Sequence, residues 1–457
     1  MTIEPVFLRR VAPSPSVTLH TSISIFVLAA SLLATTQCAP LHAANEYRVT
    51  NVRDAGPGSL RQAMLDANRD PGPGRIRFDS VKGPFAEPRT ITLGSALPTI
   101  SDDVEIDGYI ENRLWVPTGV TIDGAGKFPV FRVAEGILTR LRYLTVTRGQ
   151  APEGGALSSA GNTQVEGVMF FANQAETGGA VAQLGGSLWL INSTLLDNRA
   201  RRSGGGVAII AGDAVVTHCT LMGNGAPHGA GLHSDASLRM SNSIVSNSAE
   251  GEDCESSRPL DPRSTRNVIH RGEGCGKAFY AGNPLLGRPD YFNGPTRSIP
   301  LLGGSPAVNW ADNAASVDPE GRSLVWDQRG NGDPRFAAGI ADIGAFERQA
   351  VTVLEIDIRE DIDVRGCSSA SRDCSLRGAI AIANASPRDD AITFRPGVFG
   401  ETSTIELTGP LPRITKRLSL SAGKDQSVRI TGSADWVTTA PGVELEVRGV
   451  VLPGSER

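Results

Sequence analysis

The feature that most constrains this chain is a recurring glycine pair. Gly154-Gly155, Gly178-Gly179, Gly204-Gly205 and the looser Gly229-Ala230-Gly231 follow one another at steps of 24, 26 and 25 residues. Each is preceded by a corner signature: Thr147-Arg148-Gly149, Phe170-Phe171-Ala172-Asn173, Leu195-Leu196-Asp197-Asn198 and Leu221-Met222-Gly223-Asn224, with a further half-unit at Ile244-Val245-Ser246-Asn247. A unit this short cannot bury its own apolar side, so the units must stack and share one core. Short runs such as Ser187-Leu188-Trp189-Leu190-Ile191 are separated by Gly and Asn, which reads as strands with tight corners. Both residue types tolerate the left-handed backbone of a sharp corner, and an Asn at equal intervals can hydrogen-bond its copy in the next coil. The expected fold is all-β, a right-handed parallel β-helix over residues from about 90 to 250, with Asn173, Asn198, Asn224 and Asn247 aligned as a ladder. A β-sandwich would require the in-register glycine clusters to be coincidental, and no Leu-x-x-Leu-x-Leu frame supports leucine-rich repeats.

A longer repeat frames these coils. GSLRQAMLDAN from Gly58 to Asn68 returns as CSLRGAIAIAN from Cys374 to Asn384. Leu60, Ala63, Met64 and Ala67, like Leu376, Ala379, Ile380 and Ala383, have the i, i+3, i+4, i+7 spacing of an amphipathic helix. Ser59 and Ser375 are natural N-caps, and Asn68 and Asn384 stand where such a helix should end. Each helix is expected to plug the first coil, the strands after it (75–78 and 391–394) starting the stack and hiding an otherwise open β edge. The second copy continues to Gly442–Leu452, which matches Gly136–Val146, and is expected to be the opening of a second, truncated β-helix.

The duplicated segments resemble the CSLREA-type module of secreted bacterial β-helix proteins. The Phe170–Asn173 and Gly178–Ala180 stretches resemble repeats of polymorphic outer-membrane proteins. Asn283–Leu286, Asn293–Thr296, Gly304–Val308, Asp327–Gly330 and Ala341–Glu347, in that order, resemble the choice-of-anchor Q domain. Three positions depart from these patterns: Gly58 replaces the leading Cys, Gly378 the usual Glu, and Asn309 a common Asp. The resemblance implies an exported or surface-displayed β-helix. The expected organisation is a signal peptide over 1–44, capping module and coils over 45–250, a loop-rich cap on the C-terminal end of the coils over 251–350, and the second module over 351–457.

An apolar run at 22–35 follows Arg9-Arg10 and precedes small residues at Ala39, Ala43 and Ala44, the pattern of a cleaved secretory signal and too short for a comfortable membrane span. In an oxidising compartment, Cys254 with Cys275 and Cys367 with Cys374 are the expected disulfides, each pair flanking a polar loop. Cys219 occupies the coil position of Ser193 and reads as a small buried core residue. A net charge of −5 without a basic block argues against a nucleic-acid partner. A cell-surface polysaccharide or a protein is the expected partner class.

Catalytic candidates are sparse. Glycoside hydrolysis needs two carboxylates roughly 5–9.5 Å apart. Asp107 and Asp123 precede glycine in turn-like Ile-Asp-Gly corners, Asp102-Asp103 reads as a solvated turn, and Asp197 and Asp213 are isolated. His218, His228 and His233 lie within two coils, but His228 sits in a Gly-Ala-Pro-His-Gly corner. Asp312, Asp327 and Asp342 read as loop-bracing carboxylates. No spacing makes a zinc or cofactor site. The expected function is therefore an exported scaffold or adhesin, with polysaccharide lyase or glycoside hydrolase on the β-helix face as the alternative.

Overall fold

A computed structural model describes residues 44–457, apart from 80–83, 111–118, 349–351, 368–370, 386–389, 424–425, 455–457 and the single positions 293, 303, 331, 337 and 338. The apolar run at 22–35, expected to be part of a signal peptide, lies outside the described residues.

One coil illustrates the whole. Ser187–Ile191 lies in a first sheet, Asn192 turns the chain with φ 46°, and Thr194–Leu196 lies in a second sheet. Asp197 turns it again with φ 55°, Arg199–Ser203 joins a small outer sheet, and Gly204 leads through φ 65° into Val207–Ile209 of a third. Every strand pairs in parallel with its counterpart one coil away, Leu188 with Thr163 and Ala214, Leu195 with Phe170 and Leu221, Val207 with Val181 and Leu232. The first, second and third sheets contain 8, 9 and 6 strands among the described residues. Alternate side chains point inward and fuse into one apolar column from Val49 to Cys275. This is a parallel β-helix.

The glycine pair has two separate causes. A Cβ on Gly204 would meet the Val207 carbonyl oxygen at 2.4 Å in a left-handed conformation. On Gly205 it would meet the carbonyl oxygens of Gly225 and Ala230, in the next coil, at 2.4 and 2.6 Å. The first glycine makes the corner, and the second lets adjacent coils approach.

The stack begins earlier than expected. Asn45–Val49 already pairs in parallel with Gly74–Phe78, so α1 (Leu60–Arg69) is the crossover of the opening coil and not an element placed before it. The same holds for Thr352–Ile356, α2 (Leu376–Ala385) and Asp390–Phe394. Both helices run past the expected Asn ends, because those asparagines clasp the following coil instead. The Asn68 amide donates to Thr99 O and accepts from Ser101 N, while that of Asn384 donates to Arg413 O and accepts from Thr415 N. The motif's arginines act alike: Arg61 binds Asp54 and the carbonyls of Ser95 and Ala96, and Arg377 binds Asp361 and the carbonyls of Gly409 and Pro410. Ser59 caps Gln62 N, and Ser375 caps Gly378 N. Gly378 departs from the motif because a Cβ there would stand 1.9 Å from Val364 O. The second module has its own core around Leu376, Ile392 and Phe399.

The segment expected to cap the C-terminal end lies elsewhere. Residues 254–281 add strands beyond the coils, at Cys254–Ser256, Val268–Ile269 and Tyr280–Ala281. Residues 283–347 run back along the side of the β-helix as a strap. They are fastened to the corner that follows the first sheet on successive coils: Gly167 O accepts from Thr296, Asn192 donates to Trp326 O, His218 Nε2 meets Ser316 Oγ, and Asn242 donates to Asp312 O. At each of these corners a carbonyl, amide or imidazole of the coil finds its polar partner in the strap, and these bonds fix the loop-rich segment to this edge.

Candidate functional site

The first sheet has an open outer face. Register places Glu46, Arg75, Glu105, Arg140, Gln164 and Trp189 in one column along the helix axis, and Arg77, Asp107, Arg142, Glu166 and Ile191 in the next. Charges alternate down both columns, so neighbouring coils pair. Arg75 lies 3.1 Å from Glu105, Arg77 3.3 Å from Asp107 and Arg142 3.0 Å from Glu166, while Arg140 donates to Gln164 at 2.8 Å. Burial works against the Arg142 charge, but Glu166 first, then Tyr143, Asp107 and Glu105, together more than offset it and hold the guanidinium above its ordinary range. Burial raises the Asp107 carboxyl above the usual carboxylate range, opposed by the Tyr109 N–H it accepts and by Arg142 and Arg77.

The strap converts this face into a groove. Its hairpin, closed by the Val317–Ser323 bridge and by Arg322 on Asp318, stands over the charged columns. The space between has a volume of about 650 Å³, lined by Arg75, Glu105, Arg140, Arg142, Glu166 and, across from them, Asp318, Glu320, Arg322 and Trp326. Trp189 stands in register with Gln164 one coil further on and carries Arg239 at 5.5 Å from its ring centre. Sequence reading missed this groove: its two walls come from segments over a hundred residues apart, and column alignment needs the strand register.

Behind the groove the strap is held by a buried ionic cluster. Arg329 forks onto Asp327 at 2.6 and 3.0 Å and meets Asp333 at 2.9 Å. Arg335 donates to Asn192 Oδ1 and to the carbonyls of Gly344 and Ala345. Glu347 accepts from Asp342 N, and burial, with the Asp342 charge second, pushes its carboxyl up to about 8. The loop-bracing role read for the carboxylates of Asp312, Asp327 and Asp342 describes what they touch, since Asp312 accepts from Ala314 N, Asp327 from Glu347 N, and Asp342 from Asn309 N and Arg348 N.

The remaining candidates are scattered. Asp213 is exposed on the first sheet, Asp197 is at the corner after the second, and His228 is 65% exposed beside the third, 3.3 Å from Glu255. His218 is buried under the strap and His233 faces out of the third sheet toward Asp235. Asp123 holds Ala125 N and Arg148, and Asp103 holds Leu138 N. His228 and His233 both stand beside Glu255, the first 3.3 Å from its carboxylate and the second in register with it one coil away, whereas Asp197, Asp213 and His218 lie on other faces of the helix. Among the described residues, no group of His, Cys, Asp and Glu could hold a metal ion.

Asn173, Asn198 and Asn224 form a ladder, each Oδ1 accepting from the backbone N–H of the preceding coil. Asn198 Oδ1 takes Asn173 N and Nδ2 at 2.9 and 3.0 Å, and Asn224 Oδ1 takes those of Asn198 at 3.0 and 2.9 Å. Asn247 is not part of it. Register pairs Ser246 with Met222, so Asn247 aligns with Gly223 at the left-handed corner, is exposed, and Ser248 holds the ladder position. Asp253 Oδ1 accepts from Ser248 N in place of a further Asn. Cys254 and Cys275 form one disulfide and Cys367 and Cys374 a second, while Cys219 stacks with Ser193 and Ser243 in the core.

The fold and groove define a strapped parallel β-helix with an open charge-paired face. No family model and no curated protein sequence matches the chain. Among solved structures it is similar to a PL6 family alginate lyase, with 10% sequence identity, TM-score 0.21, and coverage of 90% of this chain and 68% of the other. No helix among the described residues is long and apolar enough to cross a membrane.

Proposed function

We propose that this is an exported, surface-displayed binding scaffold of the CSLREA and choice-of-anchor Q type, whose strapped groove takes a neutral glycan without turning it over. The charge balance of the groove carries this reading: Arg75, Arg140, Arg142 and Arg322 face Glu105, Glu166, Asp318 and Glu320. A polyanion entering it would meet four carboxylates and a polycation four guanidinium groups. Sugar hydroxyls both donate and accept, so they fit a surface of alternating donors and acceptors, with Trp326 offering an apolar ring face. The disulfides Cys254–Cys275 and Cys367–Cys374 support an oxidising compartment.

Glycoside hydrolysis is the second reading, favoured by one observation. Glu105 and Glu166 lie on the strands either side of Leu138–Arg142, roughly 10 Å apart along the axis and, being in register with Arg140 and Arg142, roughly 7 Å apart along the strand, a backbone separation that two glutamate side chains turned toward each other can narrow to that of an inverting pair. One experiment separates the readings. Neutral oligosaccharides should bind reversibly, release no new reducing ends, and lose affinity with Gln164→Ala or Trp326→Ala. Release of reducing ends that Glu166→Gln abolishes would replace binding by hydrolysis.

A further inference from the structure

Beyond the coils, Cys254–Cys275 closes a loop whose two arms, 256–267 and 274–279, enclose a second space of about 540 Å³. Its chemistry differs from that of the groove. Arg258, Arg266 and Lys277 line it, and among its lining residues Asp261 alone is acidic. Asp261 is already engaged: Arg263 forks onto both its oxygens at 3.0 and 2.6 Å and draws its carboxyl down to about 2. No carboxylate among the described residues lies within ion-pair reach of Arg258, Arg266 or Lys277, so this space carries uncompensated positive charge.

Arg266 is held for recognition in a particular way. Its guanidinium stacks over the Phe279 ring at 4.6 Å and the Trp310 ring at 5.8 Å, and the two ring centres are 5.5 Å apart. Stacking occupies the guanidinium faces and leaves the in-plane N–H donors, which make no hydrogen bond to other described residues, free for a bidentate acceptor. The setting is firm, because Asn267 beside it donates to Met240 O, accepts from Ser243 N, and receives Phe279 N on its carbonyl. Trp310 and Phe279 remain 53% and 38% exposed, ring faces beside an unused cationic fork.

We infer that this disulfide-closed pocket is a second binding site, for an acidic saccharide whose carboxylate or sulfate is gripped by Arg266 and Lys277 while its ring lies on Phe279 and Trp310. The site is independent of the neutral-glycan groove, and the two fail separately.

The test uses the full chain with a galacturonate hexasaccharide, a heparin-derived hexasaccharide, a neutral maltohexaose and inorganic sulfate, each titrated calorimetrically at low and high salt. At least one acidic hexasaccharide should bind, weaken with salt, and lose about ten-fold in affinity in the exposed-residue variant Arg258→Gln/Lys277→Gln, and likewise in Phe279→Ala. The galacturonate and heparin arms tell carboxylate from sulfate. Trp326→Ala, in the groove, should leave that binding unchanged, and Arg258→Gln/Lys277→Gln should leave any maltohexaose binding unchanged. Absence of acidic-saccharide binding, indifference to Arg258→Gln/Lys277→Gln, or sulfate binding as tightly as the hexasaccharides would overturn the inference.

Discussion

Arg335 donates a 2.7 Å hydrogen bond to the side-chain oxygen of Asn192, across 143 residues of chain. Asn192 is a left-handed corner of a coil, and its amide also donates to Trp326 O, so one corner residue fixes two points of the strap. The same corner recurs as Gly167, His218 and Asn242, each touching the strap, and the groove wall depends on this fastening.

Arg335→Ala should therefore destabilise the protein by about 3–5 kcal/mol, since it leaves Asn192 Oδ1 and the Gly344 and Ala345 carbonyls, three buried acceptors, without their donor. Chemical denaturation measures the loss. Limited proteolysis should cut first within 317–326, and an unchanged denaturation midpoint would show that the strap is held by other contacts.

Removing a ladder amide tests the coil register. Asn198→Leu leaves Asn173 N without its acceptor and the Phe170 carbonyl without its donor, and should cost about 1–3 kcal/mol. Asn247→Gly, at the exposed corner, should change stability by less than about 0.5 kcal/mol. Equal effects in thermal melts would contradict the register.

The β-helix was legible because its determinants are local and periodic: a corner glycine recurs at 154, 178, 204 and 229, a close-approach glycine at 155, 179 and 205, and an asparagine at 173, 198 and 224. The helix motif was legible for the same reason, down to its Ser cap. Asn247 misled because the residue type matched at a step of 23, whereas the strand register puts Ser248 in the ladder. The strap's place on the side of the helix was not legible, since Asn192 and Arg335 find each other only once the coils exist. The groove follows from both, and so do its opposed charges.

Protonation should set a stability window through the strap. Burial lifts the Glu347 carboxyl from 4.5 to about 8, with Asp342 adding to the rise and Arg335 opposing it. A raised acid favours the folded state in its protonated form, so its contribution is complete below about 4.5 and is lost as pH climbs to about 8. His218, buried neutral and drawn well below 6.5 by burial and then by Arg335, works the other way, its contribution complete above 6.5 and lost as pH falls toward its folded value. Between 6.5 and 8 the His218 contribution is complete while that of Glu347 is still being lost, so the melting temperature should fall across that interval in the native chain and fall less steeply in Glu347→Gln. A native chain that is level there, or an equal fall in Glu347→Gln, would contradict this role for Glu347.

Gly205→Ala should destabilise by about 1–3 kcal/mol, because the added methyl would meet two carbonyl oxygens of the next coil. Thermal melting of this variant beside Gly276→Ala, where nothing lies within 4 Å but φ is 74°, separates coil contact from backbone strain.

The central claim is that the strapped face binds a neutral glycan and does not cleave it. Its most direct test is calorimetric titration of the full chain with a panel of neutral oligosaccharides, each mixture then being assayed for reducing ends. The account predicts saturable binding by at least one member, a loss of about ten-fold with Trp326→Ala or Gln164→Ala, and sugar recovered intact. No binding by any neutral member, or binding accompanied by cleavage that Glu105→Gln or Glu166→Gln abolishes, would contradict it.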